Sequence, residues 1–343
     1  MNIAVDAMGG DNGPAPNVEG AALAIKELGV SVTLVGDESQ VREEMRRQGC
    51  RDARLTVRHA AQTVGMHESP ALVARKKRDS SIWVATELVK SGDAVAVVSA
   101  GNTGASMVAA FFILGVIKGI ERPAIAASLP TLTGTAVMLD VGANVDCTPE
   151  HLHQFALMGN EYGKHLFGKP NPRIGLLSIG EEDTKGNEAT KEAFKLLKAS
   201  PINFIGNVEG RDVFSGAADV VVCDGFIGNV ALKMTEGVAD TIKKILMREI
   251  AGSTLGRFAY LFMAQPLLRL RRRMDYAEFG GAPLLGVNGI TMICHGRSSA
   301  KAIKNAIRRA KGLAESRLNE LIQRDIEESL AQHQKSGEEG APA

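Results

Sequence analysis

The sequence predicts an α/β fold built around a largely parallel sheet, and two features of the chain lead to that prediction. First, a strand-like apolar segment runs into a glycine-rich polar turn five times: IAVDAMGGDNGP (3–14), VAVVSAGNTGAS (95–106), AVMLDVGANVD (136–146), IGLLSIGEEDTKGN (174–187) and VVVCDGFIGN (220–229). Continuous apolar runs bounded by glycine are typical of strands buried on both faces, as in a parallel sheet. Second, such runs alternate with helical patterns, as expected for β/α units.

The remaining elements follow the same alternation. Segments with apolar residues at helical spacing predict helices, and short apolar runs between them predict strands. In chain order, the predictions are a helix over 15–28, a strand in VSVTLVGD (30–37), a helix over 38–49, a strand in ARLTVRHA (53–60), and helices over 70–91, 103–118, Pro149 to about Leu166, and 187–199. The stretch NVALKMTEGVADTIKKILMREIAG (229–252) predicts one long amphipathic helix.

No linker rich in Pro, Gly or Ser divides the chain, so we expect a single α/β catalytic domain over residues 1–331. A helical protrusion is predicted within it, at about residues 240–275. Residues 332–343 end in SGEEGAPA, which has no apolar anchors. This composition predicts a disordered tail.

The composition is ordinary for a globular protein. Of 343 residues, 45% are hydrophobic and 23% are charged, and the net charge of +1 predicts no overall attraction to nucleic acid. The start, MNIAVDAMGG, is not typical of a signal peptide, and no window of ~20 apolar residues predicts a membrane span, so we expect a cytoplasmic protein. The four cysteines form no CxxC pair. No H-E-x-x-H motif and no cluster of Cys and His residues appears either, so we expect no metal site, and we expect no other cofactor.

The five glycine-rich turns are the candidate ligand site. Turns at the carboxyl ends of parallel strands form the ligand crevice of open α/β sheets, and backbone N–H groups together with Asn, Asp, Ser or Thr suit an anion such as phosphate. Asp6 and Asp140 could serve as a general base or could only brace their turns, and Asn102 could only cap the next helix. The candidate substrate-binding residues are Asp6, Gly9, Gly10, Asn12, Ser99, Gly101, Asn102, Thr103, Asp140, Asn144, Gly186, Gly228 and Lys233.

Four residues are candidates for the chemistry itself. Lys185 stands close to glycines in GEEDTKGN (180–187) and could hold phosphate or polarise a carbonyl, although a solvated loop lysine is an equal alternative. Asp224 and Asn229 could act in the fifth turn, or could only form the turn and cap the next helix. His295, in ICHG, follows an apolar run at a predicted strand end, where a structural role is the more common one.

Motifs of nucleotide binding and of covalent catalysis are missing. The sequence contains no G-x-x-x-x-G-K-[ST], no G-x-G-x-x-G after the first strand, and no G-x-S-x-G around Ser99 or Ser178. The sequence therefore predicts binding of a phosphate-like anion without a nucleotide motif and without an activated nucleophile.

Residues 240–275 combine positive charge with bulky apolar side chains. This stretch holds eight basic and three acidic residues, whereas the rest of the chain is slightly acidic. Arginines interleaved with apolar residues predict a peripheral contact with an anionic membrane, and a helical hairpin in a dimer interface is the alternative. The candidate membrane residues are Leu255, Phe258, Phe262, Leu267, Leu268, Arg269, Arg271, Arg272 and Arg273.

Six segments, in the same order along the chain, resemble the bacterial phosphate acyltransferase family of phospholipid synthesis, known as PlsX. They are AVDAMGGDNGP, VSAGNTGA, LDVGAN, SIGEEDTKGN, CDGFIGNVALK and DYAEFGGAPLLGVNG, and the match covers essentially residues 1–315. The resemblance implies a three-layer α/β/α fold similar to isocitrate and isopropylmalate dehydrogenases and to phosphotransacetylase. It also implies that acyl-(acyl carrier protein) and inorganic phosphate react to give acyl phosphate and free carrier protein.

The same resemblance implies a homodimer that associates peripherally with the membrane, where a glycerol-3-phosphate acyltransferase uses the acyl phosphate. Direct attack of phosphate on a thioester needs no protein nucleophile, which agrees with the missing motifs. Two alternatives are a dehydrogenase of the similar fold and a non-catalytic membrane scaffold. The missing dinucleotide pattern argues against the dehydrogenase, and the many polar glycine turns argue against the scaffold.

Overall fold

The computed structural model describes residues 1–252, 260, 262–263, 265–269 and 275–339. Its strands are β1 (Asn2–Asp6), β2 (Ser31–Gly36), β3 (Leu55–His59), β4 (Ala96–Ser99), β5 (Ala124–Thr131), β6 (Gly134–Leu139), β7 (Ile174–Leu177), β8 (Phe204–Val208), β9 (Val220–Val222), β10 (Ala282–Leu285) and β11 (Ile290–Ile293). Its helices are α1 (Pro14–Leu28), α2 (Glu38–Arg47), α3 (Pro70–Lys76), α4 (Ser81–Lys90), α5 (Thr103–Ala109), α6 (Pro149–Phe167), α7 (Glu188–Ala199), α8 (Asp212–Ser215), α9 (Gly225–Gly252), α10 (Tyr276–Phe279), α11 (Ala300–Glu315) and α12 (Leu318–Glu339).

The strands form one 11-stranded sheet that helices cover on both faces. Side chains alternate between the faces, so Ile3 and Val5 of β1 pack into one hydrophobic cluster and Ala4 packs into another. The first cluster includes residues of α1, α6, α7 and α11, whereas α3, α4 and α5 contribute to the second. The predicted three-layer α/β/α fold is therefore confirmed.

Two predicted helices differ from the observed elements. The segment 70–91 forms α3 and α4 because Ser80 leaves the helical path and forms a parallel bridge with Gln62. The segment 103–118 begins as α5, becomes π-helical over Ala110–Leu114, and ends at Gly115, whose φ is 74°. The other predicted helices and strands are confirmed, with shifts of a few residues at their ends.

The final helix reaches into the predicted tail. Helix α12 ends at Glu339, so it includes part of the 332–343 segment, and residues 340–343 lie outside the described residues. The domain boundary at residue 331 stays a prediction.

The sheet changes direction at its centre, which the sequence did not predict. The strand order is β3-β2-β1-β4-β11-β10-β5-β6-β9-β7-β8, and the first five strands are parallel to one another. The next three pairings, β11 with β10, β10 with β5, and β5 with β6, are antiparallel. Strands β6, β9, β7 and β8 therefore run opposite to β1. Consequently, the turns after β1, β4 and β11 lie at one end of the strands, and the turns after β6, β9 and β7 lie at the other end.

Helix α9 confirms the predicted long helix and begins directly after the turn that follows β9. Its 28 residues span about 42 Å, and its described residues are mostly exposed, with only Gly225 and Gly228 buried. An apolar stripe follows one side, where each residue is 43–65% exposed: Val230, Met234, Val238, Ile242 and Ile245. Within the described ranges, no helix has both the length and the apolar character needed to cross a membrane.

Candidate active site

Asp6 organises the first turn from inside the protein. Its Oδ1 accepts hydrogen bonds from the amides of Met8 and Gly9 at 3.3 and 3.0 Å, and its Oδ2 accepts one from the Ser99 hydroxyl at 2.7 Å. Burial raises the pKa of Asp6 above its ordinary value of 3.8, although the hydrogen bonds, including one from Ser81, act in the opposite direction. The carboxylate therefore braces the turns after β1 and β4, as one of the two alternatives predicted. A direct contact with substrate stays a prediction.

The glycines of the first turn allow neighbouring backbones to approach closely. A Cβ on Gly9 would lie 2.6 Å from Asp6 Oδ2 and 2.7 Å from the nitrogen of Gly101. Gly10 has a φ of 104°, and the next amide, of Asp11, donates to the Gly296 carbonyl at 2.8 Å. This turn therefore contacts both the turn after β4 and the turn after β11, and the predicted Asn12 is exposed within it.

Asn102 has a structural role that uses its whole side-chain amide. Its Oδ1 accepts from the Ala105 amide at 3.0 Å and so caps α5. Its Nδ2 donates to the carbonyls of Met66 and Glu68 at 2.9 and 3.0 Å. The capping alternative is thus present in the structure, and the exposed Thr103 begins the helix beside it.

His295 lies at the same end of the sheet, immediately after β11. Its side chain is exposed, and its Nδ1 accepts from the Arg297 amide at 3.2 Å. Arg297 in turn lies 3.8 Å from the carboxylate of Asp11. The structure therefore groups His295 with Asp6, Ser99 and Asn102, and separates it from the other three catalytic candidates.

Asp140 has the same role at the opposite end, and it is fully buried after β6. It accepts hydrogen bonds from the amides of Ile125, Gly142, Ala143 and Asn144 at 2.7–3.2 Å, and from the Asn144 side chain at 3.0 Å. Burial raises the pKa of Asp140 above 3.8, and these hydrogen bonds oppose that effect. Three amides of the predicted anion-binding turn are therefore already occupied by a carboxylate of the protein itself.

The start of α9 packs directly against this turn, and only glycine fits at two positions. A Cβ on Gly225 would lie 2.6 Å from the Asn144 carbonyl oxygen, and one on Gly228 would lie 1.8 Å from the Asp140 carbonyl oxygen. The amide of Gly225 also donates to Asn144 O at 2.7 Å. The third and fifth turns therefore form one rigid unit.

Asp224, Asn229 and Lys233 follow this unit along the first turns of α9. The Oδ1 of Asp224 accepts from the Ile227 amide at 2.8 Å, so the predicted capping role is present. Asn229 is exposed beside Gly142, whose Cβ position lies 3.7 Å from the Asn229 side chain. Lys233 forms a 2.8 Å ion pair with Glu236. Of these three, Asn229 is the side chain for which a close approach to the Asp140 turn is recorded.

Lys185 is exposed in the long turn after β7. Its amide donates to Glu182 O at 3.0 Å, and the stem of its side chain packs close to Gly180. Gly186, with a φ of 111°, lies next to the hydroxyl of Ser178, which is buried and has no hydrogen-bond partner among the described residues. The turn thus combines a cation, a positive-φ glycine and an unsatisfied hydroxyl. Strand β7 is adjacent to β9, so Lys185 and Asn229 follow neighbouring strands at the same end of the sheet.

Sequence reasoning missed two buried residues that support these turns. The Ser81 side chain forms a hydrogen bond with Asp6. Ser81 is the first residue of α4, and no glycine-rich turn precedes it to mark it in the sequence. Asn17 donates to the carbonyls of Ala7 and Gly9 at 3.0 and 2.9 Å. Asn17 could have been found, because it is a polar residue on the apolar face that α1 presents with Ala21 and Ala24.

None of the four cysteines is an activated nucleophile. Burial raises the pKa of Cys147 to about 11 and that of Cys294 to about 12. Burial also raises the pKa of Cys223 and of Cys50 above 9.0. These thiols therefore stay protonated at neutral pH. Within the described ranges, no group of three or more His, Cys, Asp or Glu side chains is arranged to hold a metal ion.

Part of the predicted membrane segment lies outside the described residues, namely Leu255, Phe258, Arg271, Arg272 and Arg273. Within the described part, Phe262 is 85% exposed and Leu268 is 46% exposed. Leu267 is half-buried and Arg269 is exposed.

The fold and the turns define a class of three-layer α/β/α proteins with amide-rich turns at the strand ends. Among solved structures, a phosphotransacetylase from Streptococcus pyogenes matches with a TM-score of 0.61 and 19% identity, covering 92% of this chain and 94% of that chain. The EutD phosphotransacetylase from Staphylococcus aureus matches with a TM-score of 0.58 and 15% identity over the same shares. These likenesses concern the fold alone.

The sequence comparisons identify the family within that class. Residues 1–321 match the family described as fatty acid synthesis protein. The phosphate acyltransferase of Citrifermentans bemidjiense is 54% identical over 343 residues, which cover 100% of this chain and 97% of that protein. The phosphate acyltransferase of Geobacter sulfurreducens is 53% identical over 327 residues, covering 95% and 94%. The chain belongs to this family of phosphate acyltransferases, and the predicted resemblance and acyltransferase class are confirmed.

Proposed function

We propose that the protein transfers an acyl group from acyl-(acyl carrier protein) to inorganic phosphate, and that the product supplies phospholipid synthesis. The observation that carries this proposal is the full-length match to phosphate acyltransferases. The turn of Lys185 supports it, because a lysine and the unsatisfied hydroxyl of Ser178, beside the positive-φ Gly186, suit an oxyanion. Amides of the turns after β1 and β6 already donate their hydrogen bonds to Asp6 and Asp140, which makes the Lys185 turn the better candidate for the phosphate site.

In the proposed reaction, a phosphate oxygen attacks the carbonyl carbon of the thioester. A tetrahedral intermediate forms, the carbon–sulfur bond breaks, and the carrier protein leaves as a thiolate that takes up the proton released by phosphate. Lys185 would hold phosphate within attack distance, and Asn229 would donate a hydrogen bond to the oxyanion. Asp224 caps the helix that carries Asn229 and so acts as a positioning residue. His295 lies at the other end of the sheet, and its proposed role is to contact the incoming donor.

Phosphate-dependent thiol release tests the proposed function. Purified protein is mixed with acyl-(acyl carrier protein), with and without phosphate, and the new thiol is measured with a chromogenic disulfide. We expect release only when phosphate is present, together with acyl phosphate detected as a hydroxamate. Thiol release at the same rate without phosphate would indicate a thioesterase and would contradict the proposal.

We predict that no covalent acyl-enzyme forms. The thiols are protonated at neutral pH, and the Ser99 hydroxyl is buried and donates to Asp6, with no histidine among its hydrogen-bond partners in the described part of the chain. After incubation with radiolabelled acyl donor in the absence of phosphate, the denatured protein should carry no label. Stoichiometric label on Ser99, Ser178 or any cysteine would show that a nucleophile of the protein takes part.

We also propose that the protein is a cytoplasmic homodimer that touches the membrane near a glycerol-3-phosphate acyltransferase. The apolar stripe of α9 is long and exposed, which suits pairing with the same helix of a second copy. The basic and apolar stretch after α9 suits the headgroup region of an anionic bilayer.

We expect Phe262→Glu with Leu268→Glu to abolish sedimentation with anionic liposomes, because two exposed apolar side chains become charged. Phe112→Glu is the control, since Phe112 is 66% exposed on a different element. The mass in sedimentation velocity is measured in parallel. Unchanged liposome binding by the double variant would show that this segment is not the anchor, and loss of the dimer would place it in the subunit interface.

A further inference from the structure

Helix α3 presents a basic face that the proposed reaction mechanism does not use. The sequence RKKR (75–78) covers the last two residues of this helix and the two that follow it, and Arg75, Lys76 and Arg78 are exposed. Leu72, one turn before Arg75, is 40% exposed on the same side. We call Leu72, Arg75, Lys76 and Arg78 the basic face of α3.

The exposed cations of this face are not held in ion pairs within the described part of the chain, and with the adjacent Asp79 the segment 75–79 has a net charge of +3. Lys77 points inward, where its ammonium forms a 2.6 Å ion pair with Glu68 and donates to Thr63 O at 2.7 Å. Arg78 donates to Ala74 O at 3.2 Å, and its guanidinium lies 5.8 Å from the Trp83 ring centroid, so its side chain is held in place. Among the described residues, no carboxylate forms an ion pair with Arg75, Lys76 or Arg78. On α2, by contrast, the exposed Arg42 and Arg46 are each paired with a glutamate on the same helix.

The basic face is fastened to the turns after β4 and β11. Asn102 clamps the loop before α3 through Met66 O and Glu68 O, and a Cβ on Gly104 would lie 2.4 Å from Pro70 at the start of α3. A Cβ on Gly296 would similarly lie 2.7 Å from the end of the Met66 side chain. A partner bound to α3 is therefore positioned at the entrance to the sheet end that holds Asn102 and His295.

We propose that the basic face of α3 is the docking surface for the carrier protein, which contacts Arg75 and Lys76 with acidic side chains and Leu72 with an apolar one. This inference rests on the proposed function. The turn of Lys185 lies at the other end of the sheet, beyond β10, β5, β6 and β9 in the strand order. The flexible prosthetic arm of the docked carrier would bring its thioester from the docking surface toward this turn.

The carrier protein fits this face better than a lipid surface does. A helix that lies on a membrane needs a wide apolar face, and α3 is seven residues long and exposes one large apolar side chain, Leu72. An unpaired cluster of cations around a small apolar contact is instead suited to steering and orienting an acidic protein.

The test is charge reversal by Arg75→Glu with Lys76→Glu, assayed by steady-state kinetics in both substrates. We expect KM for acyl-(acyl carrier protein) to rise about tenfold, while kcat and KM for phosphate change less than twofold. The control is Arg46→Glu with Arg47→Glu, which reverses two adjacent basic residues on α2, both 71% exposed, and changes the net charge equally. The wild-type kcat/KM for acyl-(acyl carrier protein) should also fall as the salt concentration is raised. The dependence of kcat/KM on salt should be weaker for the α3 variant.

Several outcomes would overturn the docking proposal. Equal KM values for the α3 variant and the control, a wild-type rate that does not depend on salt, or a fall in kcat with KM unchanged would each do so. Loss of liposome sedimentation without a change in KM would assign the face to the membrane instead. If the α3 variant fails to fold by circular dichroism, the wild-type salt dependence alone decides. Failure of the proposed function is recognised separately, because wild-type protein would then show no phosphate-dependent thiol release.

Discussion

Replacing Lys185 with alanine should lower phosphate-dependent thiol release by ~10²–10³ while leaving the protein folded. Lys185 is exposed, so its removal leaves the core intact, but it removes the cation that we propose holds phosphate in the turn after β7. The loss should be greatest at low phosphate and partly restored at high phosphate, because binding of that substrate is weakened. The rate is measured as a function of phosphate, and circular dichroism checks the fold.

Lys191→Ala provides the matched control for this experiment. Lys191 is also exposed and lies six residues further along, on α7. We expect it to keep nearly full activity. Equal activity of the two variants would remove Lys185 from the site and would direct attention to Asn229.

Gly228→Ala should both destabilise the protein and remove most of its activity. The new Cβ would lie 1.8 Å from the Asp140 carbonyl oxygen, and a backbone atom cannot rotate away as a flexible side chain can. Either α9 or the Asp140 turn must shift, which we expect to lower the free energy of unfolding by about 2–3 kcal/mol. Urea unfolding measures this change, and the thiol-release assay measures the displacement of Asn229.

Gly237, on the same helix, provides a control that distinguishes the clash at Gly228 from the general effect of replacing a helical glycine with alanine. Among the described residues, no atom lies within 4 Å of the Cβ position of Gly237, so Gly237→Ala should stabilise α9 by about 0.5–1 kcal/mol. If both substitutions changed stability equally, the close packing of α9 on the Asp140 turn would be wrong.

The strands and turns could be predicted because their signals are local. Each buried strand with its glycine turn is encoded within about a dozen residues, and all five segments that begin with such a strand are confirmed. The reversal of the sheet could not be predicted in the same way. It depends on β10 pairing with β5, which lies more than 150 residues earlier, and nothing within either segment specifies that partner or its direction. His295 and Lys185 are consequently at opposite ends of the sheet, although both follow buried strands.

The roles of side chains within the turns were harder to predict than the turns themselves. Asp140 follows a buried strand in a manner that fits a general base as well as a brace, and only its five amide and side-chain donors show that it braces the turn. The sequence of the second turn likewise allowed Asn102 either to bind an anion or to cap a helix. The structure shows that its Nδ2 also donates hydrogen bonds to carbonyls of a loop 34–37 residues earlier. Local sequence patterns therefore predict the turns, but they do not predict side-chain roles that depend on contacts with residues far away in the sequence.

The buried carboxylates of Asp6 and Asp140 have a consequence for how the protein meets its substrates. A turn whose amides converge on an empty site tends to relax until an anion arrives, and binding must then supply the free energy of ordering it. Here the turns after β1 and β6 are each held by a buried aspartate side chain of the protein itself, so their shape does not depend on the phosphate concentration in the cell. The two ends of the sheet are pre-organised, and the binding energy of the substrates remains available for bringing them together.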